Sequence, residues 1–218
     1  MALKIPKIIH MIWIGPDECP YKESIESYKR NNPGWEVKIW DNEAVSKFDI
    51  HNKWVYEKMT SWAGKADVLR LEILYNYGGL YVDVDSRCLK PLDNLVDGLV
   101  CFGMRADRGS VCNAVLGCTP KHPAFEKIVY SLEEHVKRLS ETKKNIKKGI
   151  SLHSIAGGRY ITPILREDPT FIQFDEGCTP GERKLVGPVK DIEVLRSGYI
   201  VQFHDGSWKK TGKRRIKL

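Results

Sequence analysis

The first apolar run, KIIHMIWIG from Lys7 to Gly15, is rich in β-branched residues and closes on Gly15-Pro16, the pattern of a buried strand. In YKESIESYKRNNPG the apolar positions Ile25 and Tyr28 recur at a helical spacing, and Asn31-Asn32-Pro33-Gly34 ends the segment. WEVKIW alternates, which predicts a second strand with Trp35, Val37 and Ile39 on one face. Short helical pieces are expected between Asn42 and Thr60. The strongest helix is SWAGKADVLRLEILYNYGG, where Ala66, Leu69, Ile73 and Tyr77 follow the helical period and Gly78-Gly79 supply a left-handed stop. LYVDVD follows at once as a strand. LVCFGMRA and NAVLGC read as strands, and Pro123 to Lys143 reads as a long helix with Phe125, Val129, Leu132 and Val136 inward. RYITPILRE is expected to be helical at its start, and FIQF and GYIVQFH to be late strands. Strands alternating with helices indicate an α/β layered fold with a mixed sheet. No repeat or low-complexity linker interrupts residues 1–218, so one domain is expected, with a basic tail from about residue 209 to 218.

The segment GGLYVDVD raises a chemical question, because a strand fit for a core ends in two carboxylates two residues apart. In an extended strand Asp83 and Asp85 share a face and Val82 and Val84 take the other. Two like charges on one face repel, and burying either unpaired is costly. Three readings are open. The pair is a polar strand end with Arg87 as counter-ion; or it belongs to a phosphatase of the haloacid dehalogenase type; or it holds a divalent cation and, through it, a nucleotide diphosphate. The phosphatase reading wants a Thr or Val where Arg87 stands, and a later Lys and acidic cluster that the chain does not obviously supply. The cation reading fits best, since Mg²⁺ and Mn²⁺ take oxygen ligands and commonly keep one or two carboxylates plus phosphate oxygens.

Composition narrows the partners. The 218 residues carry a formal net charge of +7, an excess that suits anionic ligands such as nucleotides. Much of the excess sits in KKNIKK (Lys143 to Lys148) and KKTGKRRIKL (Lys209 to Leu218), which contain no aromatics for stacking bases, so solvated loops are expected and a nucleic-acid partner is not. The basic tail is the one segment suited to peripheral membrane contact. No apolar stretch approaches the roughly 20 residues that span a bilayer, and the N-terminus lacks a signal-peptide cleavage pattern. Six cysteines without a CxxC pair are expected to be reduced core thiols, and the chain to be soluble and cytoplasmic.

Three segments together carry a family resemblance: IPKIIHMIWIG (Ile5 to Gly15), GKADVLRLEILYNYGGLYVDVD (Gly64 to Asp85) and FHDGSW (Phe203 to Trp208). In this order they resemble the sugar-binding-region, DXD-containing glycosyltransferases of family 32, a group similar to yeast initiating α-1,6-mannosyltransferases and, more distantly, to the glucosylating domains of clostridial toxins. The resemblance implies a GT-A-type nucleotide-sugar-binding fold with a mostly parallel mixed central sheet flanked by helices. It also implies a UDP- or GDP-sugar donor, a Mn²⁺ or Mg²⁺ cofactor, a glycan or glycoconjugate acceptor, and transfer of a hexose with retention.

Carried over position by position, Asp83 and Asp85 match the DXD pair and His204 the C-terminal element that completes the metal site, with Ser207 and Trp208 closing over the diphosphate. Asp67 and Arg70 match residues that fix the donor sugar. Trp13 matches a position near the nucleobase, Tyr81 is placed to bond a phosphate or ribose oxygen, and Asn113 matches an Asn near the sugar. Two positions depart from the family pattern. Ala66 stands where a Ser or Thr is usual, and Gly157-Gly158 stands where Gly-Pro is usual. Golgi relatives begin with a membrane anchor, so the form expected here is the compact bacterial or viral one. A nucleotide-sugar-binding module without turnover is the alternative from another class.

Overall fold

The computed structural model describes residues 4–106, 109–142, 150–174, 178–180, 198–202 and 215–216. The chain begins with strand β1 (Ile8–Ile12), helix α1 (Lys22–Asn31) and strand β2 (Glu36–Trp40), then two short helices, α2 (Asn42–Ser46) and α3 (Lys53–Lys58). Helix α4 (Trp62–Tyr77) leads into β3 (Gly79–Val82), β4 (Ser86–Cys88), α5 (Asp93–Val96), β5 (Cys101–Arg105) and β6 (Val111–Cys118). The long helix α6 (Pro123–Thr142) is followed by β7 (Ile150–Ser151), α7 (Leu152–Ile155), α8 (Gly158–Glu167) and β8 (Phe171–Phe174). Strands β9 (Cys178–Pro180), β10 (Ile200–Gln202) and β11 (Arg215–Ile216) complete the described elements.

Six of these strands form the central sheet, in the order β2-β1-β3-β6-β5-β8. The pairings β1·β2, β1·β3 and β5·β8 are parallel, and β6 is antiparallel to both β3 and β5. Because β3 and β5 both oppose β6, every strand of the sheet except β6 runs the same way. The carboxyl ends of β1, β2, β3, β5 and β8 therefore share one edge, which is where open α/β sheets bind ligands. A smaller sheet, β4-β10-β9, sits beyond the end of β3 and brings the C-terminal strand β10 against β4 in antiparallel register, Gln202 opposite Ser86.

Both faces of the central sheet are buried, as a mostly parallel sheet requires. Alternate residues of β3 divide between two apolar layers: Tyr81 joins α4 and α6 on one face, while Leu80 and Val82 join α1 on the other. Helix α6 presents Phe125, Val129, Leu132 and Val136 to the first layer, as its spacing predicts. The edge strand β2 leaves Val37 and Ile39 half-buried, and Ile25 of α1 is likewise only half-buried, while Tyr28 is fully enclosed. Helix α8 continues through Pro163 to Glu167 instead of stopping early. The cysteines at 19, 88, 101 and 118 form no disulfide. No described helix is long and apolar enough to cross a membrane.

Two differences from the sequence reading concern α4 and the segment after it. The helix is not amphipathic: Val68 through Tyr75 are all buried, because sheet, α3 and α6 enclose it, and Tyr77 at its end is 40% exposed instead of inward. Its enclosure forces its charges to find partners. Glu72, fully buried, accepts from the backbone N–H groups of His51 and Asn52, each at 2.7 Å, and from the Asn52 amide at 2.8 Å, and so ties the start of α3 to α4. The second difference is that β3 ends at Val82, so Asp83 lies just past the strand and Val84 and Asp85 form a turn. The two carboxylates are brought together by that turn and its partners, not by strand alternation.

Gly78 makes the reversal from α4 to β3 with φ of 63°. A Cβ there would also stand 2.5 Å from the Pro120 nitrogen, a backbone atom that cannot move aside cheaply. Gly78→Ala is therefore expected to cost about 1–3 kcal/mol from the backbone conformation alone, and a melting temperature within 1 °C of wild type would contradict this.

Candidate functional site

The site is built where α4, the end of β3 and the start of β6 meet. Asp67 and Arg70 stand three residues apart on α4, on one side of the helix. In contrast to an exposed pair at that spacing, their side chains are only 13% and 6% exposed, and Arg70 Nη2 lies 3.0 Å from Asp67 Oδ1. Arg70 Nη1 donates to Asp83 Oδ1 at 3.0 Å and to the Asn113 carbonyl, and Nε donates to the Ala66 carbonyl at 3.3 Å. The Asn113 amide donates to Asp67 Oδ1 at 2.8 Å. Tyr81 lies beneath the guanidinium, 4.4 Å from its ring centroid, and its hydroxyl donates to Asp83 Oδ1 at 2.8 Å. Five residues from three elements thus form one network around a single guanidinium, whose planar set of donors suits several acceptors at once.

Burial dominates the electrostatics. It raises the Asp67 carboxyl above the usual carboxylate value, against the pull of the Arg70 charge. It also pushes the Tyr81 phenol well above its ordinary value, helped by Asp83, so the hydroxyl remains a donor. For Arg70 burial works against the charged form, but the fields of Tyr81, Asp83 and Asp67 outweigh it and hold the guanidinium protonated.

The DXD turn is pinned on the other side. Asp83 N donates to the Ala114 carbonyl at 2.9 Å, and Ser86 Oγ, bonded to the Tyr28 hydroxyl at 2.7 Å, donates to the Asp83 carbonyl. Gln202 on β10 reaches both carboxylates: its Nε2 donates to Asp85 Oδ1 at 2.7 Å and, at a longer 3.4 Å, to Asp83 Oδ2. Its Oε1 is buried with no hydrogen-bond partner among the described residues. Two neighbouring carboxylates are hard oxygen donors of the kind that suit Mg²⁺ or Mn²⁺, although the amide end that meets them here is the N–H₂. No group of three or more His, Cys, Asp or Glu side chains that could hold a metal occurs among the described residues.

Trp13 follows β1 directly, at the same sheet edge as Asp83 because β1 and β3 are parallel. Its indole Nε1 donates to the Asp17 carbonyl at 2.9 Å and its ring meets Tyr21 edge-on at 5.6 Å between centroids. Farther along this edge, Arg105, Gly109, Arg166 and Gln173 line an open cavity of about 380 Å³. There Arg166 bonds the Gly109 carbonyl and, at 3.0 Å, the Gln173 side-chain oxygen.

The structure therefore brings Asp67, Arg70, Tyr81, Asp83 and Asn113 into direct contact and sets Asp85 beside them through Gln202. Tyr81 and Arg70 both bond Asp83. His204, Ser207 and Trp208, like both basic runs apart from the backbone of β11, lie outside the described residues. Gln202 escaped the sequence reading because its partner lies 117 residues away and nothing local marks it.

Comparison with known proteins shows what this chain is similar to. Residues 20–99 match the model described as glycosyltransferase sugar-binding region containing DXD motif. The inositol phosphoceramide mannosyltransferase 2 of Schizosaccharomyces pombe is 36% identical over 139 residues, which is 61% of this chain and 40% of that protein. The chain thus spans well under two thirds of that relative. Among solved structures, the PaToxG glycosyltransferase superposes with a TM-score of 0.58 at 22% identity, covering 76% of this chain and 70% of that one. A glycosyltransferase involved in glycosylation of the major capsid of PBCV-1 gives 0.50 at 14% identity, covering 94% and 97%. At these identities the structural likenesses establish the GT-A fold and no more. The carboxylate pair, its supporting network and the segment that resembles the DXD-containing glycosyltransferase sugar-binding region all coincide at Asp83 and Asp85, and the chain is similar over this part to glycosyltransferases.

Proposed function

We propose that the chain moves a hexose from a nucleotide diphosphate sugar to a hydroxyl acceptor, with retention of anomeric configuration, at a divalent cation held by Asp83 and Asp85. A bound Mn²⁺ or Mg²⁺ would neutralise the charge that develops on the departing diphosphate. The observation that carries this reading is the convergence of both carboxylates on one buried amide, with Asp83 also tied to Arg70. The network holds the pair in place before any ligand arrives, which is the preorganisation that such stabilisation needs.

The remaining roles follow from what the network leaves available. Both contacts of Asp67 are made through Oδ1, so Oδ2 is the atom offered to a donor hydroxyl. Asn113 and Arg70 hold that carboxyl in place, and Tyr81 positions Asp83 in preference to touching the donor. Trp13 borders the nucleobase end. His204, Ser207 and Trp208 complete the cation and diphosphate site in this reading, following β10 directly. No side chain stands out as a covalent nucleophile, which favours same-face attack with the leaving phosphate accepting the acceptor's proton.

The name of the Schizosaccharomyces relative describes an acceptor that carries a phosphodiester, and a mannosyl donor. Arg105, at the carboxyl end of β5, lies two strand spacings or about 10 Å across from β3, and Arg166 of α8 lines the same cavity. They suit an acceptor with such an anionic group. Arg105→Ala with Arg166→Ala is expected to raise the acceptor KM about tenfold or more while leaving the donor KM unchanged; equal effects on both would argue against an acceptor role.

The first test is a thermal-shift panel of UDP- and GDP-sugars, with and without Mn²⁺, on wild type and Asp85→Ala. A donor that stabilises the wild type only with metal, and fails to stabilise the variant, supports the reading. Slow metal-dependent hydrolysis of that donor separates an enzyme from a binding module. Phosphate release from simple phosphomonoesters would favour the phosphatase class instead.

A further inference from the structure

Gln202 sits at the centre of the carboxylate pair with its polarity reversed for a cation site. Carboxylates only accept hydrogen bonds, so the two aspartates compel the amide to present its N–H₂ end, and it does so at 2.7 Å to Asp85 and 3.4 Å to Asp83. The cost falls on the other end. Gln202 is 1% exposed, and its Oε1 is buried with no partner among the described residues, an unfavourable state for a polar atom. A cation between the carboxylates would meet the positive end of the amide and would be repelled by it. Turning the amide over about its terminal torsion, which is broad and roughly two-fold, removes that repulsion and gives Oε1 a partner; the N–H₂ then takes the place Oε1 leaves, so it is the cation's attraction that drives the turn.

We propose that Gln202 is a two-state positioning residue of the cation site: its N–H₂ end clamps Asp83 and Asp85 when no cation is bound, and its Oε1 turns to face the cation when one enters. The backbone supports this without moving. Gln202 is paired with Ser86 across β10 and β4, and Ser86 Oγ holds the Asp83 carbonyl, so side chain and DXD turn share one rigid frame. The clamp relieves the repulsion of two neighbouring carboxylates in the empty site, and the turned amide supplies a neutral oxygen donor in the filled one. The inference rests on the cation reading of the preceding section and adds to it a residue outside the DXD and C-terminal motifs.

The test is Mn²⁺ binding without donor, followed by the electron paramagnetic resonance signal of free Mn²⁺, on wild type, Gln202→Leu and Gln202→Glu. The melting temperature of each metal-free protein is measured alongside. Leu removes both amide ends, and affinity is expected to fall about 10–100-fold, the range for losing a supporting group of a metal site. Glu restores an oxygen donor, so its affinity should match or exceed wild type, while its metal-free form melts lower because three carboxylates then converge. The sign is decisive. If Gln202 were only a tether that competes with the cation, Leu would bind Mn²⁺ as well as wild type or more tightly, and the proposal would be overturned. Should Leu fail to fold, Glu alone decides: an unchanged metal-free melting temperature combined with weakened binding also overturns it. Wild type that binds no Mn²⁺ at any concentration defeats the cation site itself, a result distinct from a Leu variant that binds normally.

Discussion

Arg70→Ala is expected to destabilise the protein by about 3 kcal/mol, because it strands the largely buried Asp67 and the part-buried Asp83 carboxylates without their shared cation. Arg70 is 5% exposed and touches Asp67, Asp83 and the Asn113 carbonyl at once. In a protein of this size such a loss lowers the melting temperature by on the order of 10 °C. The variant should also lose transfer activity, since Asp67 and Asp83 would each relax away from their present geometry. Arg70→Lys keeps the charge but not the planar fork, so it should recover stability only in part. The added substitution Asp67→Asn neutralises one stranded carboxylate and should restore stability without restoring activity. Melting within 2 °C of wild type for Arg70→Ala would show that the network is not what holds this corner of the fold.

Acid should unfold the protein through His10. This side chain lies fully buried in β1, where Trp40 Nε1 donates to its Nδ1 at 3.1 Å and its Nε2 faces the Gly78 carbonyl at 3.0 Å. The Trp40 contact fixes the tautomer, with the proton on Nε2 donated to Gly78. Burial lowers the His10 pKa from 6.5 to about 4, against the pull of the Gly78 bond and with a smaller push from Lys38. The folded state thus binds its proton later than the unfolded chain does. Between pH 6.5 and 4 the unfolded state carries more protons, so stability falls as pH falls through that window. The 6.5-to-4 displacement corresponds to about 3 kcal/mol at full extent. Urea titrations at pH 7, 5.5 and 4.5 on wild type and His10→Gln would measure it. The variant starts lower, for want of the paired ring, but its dependence on pH across the window should be flatter. A parallel dependence in both proteins would locate the acid sensitivity elsewhere.

The two predictions differ in how visible their residues are in the chain. Arg70 and Asp67 announce themselves as charges at helical spacing within an apolar helix, a combination that demands a partner wherever the helix is enclosed. His10 shows nothing comparable. A histidine within an apolar strand has several fates, and only the Trp40 indole opposite and the Gly78 carbonyl beyond it make this one neutral.

The same division runs through the fold and the site. The apolar periods specify β1, β2, α4, α6 and the strands between, because each period is a local property of the backbone. The order of chemistry-bearing segments carries the resemblance to DXD glycosyltransferases, and the two aspartates mark the point at which the proposed cation would sit. What the chain could not state locally is where strand β3 ends, since Val82, Asp83 and Val84 alternate as a strand would while the turn is set by Ser86, Tyr28 and Ala114. Nor could it state that α4 is enclosed on all sides, because that depends on α3 and α6 arriving from elsewhere in the chain. Tyr81 and Asn113 were legible as neighbours of a sugar site but not as members of the Arg70 network. Gln202 was not legible at all. Its meeting with Asp85 closes a loop of 117 residues, and contacts across such distances are decided by the packing of whole elements, which only the tertiary structure determines.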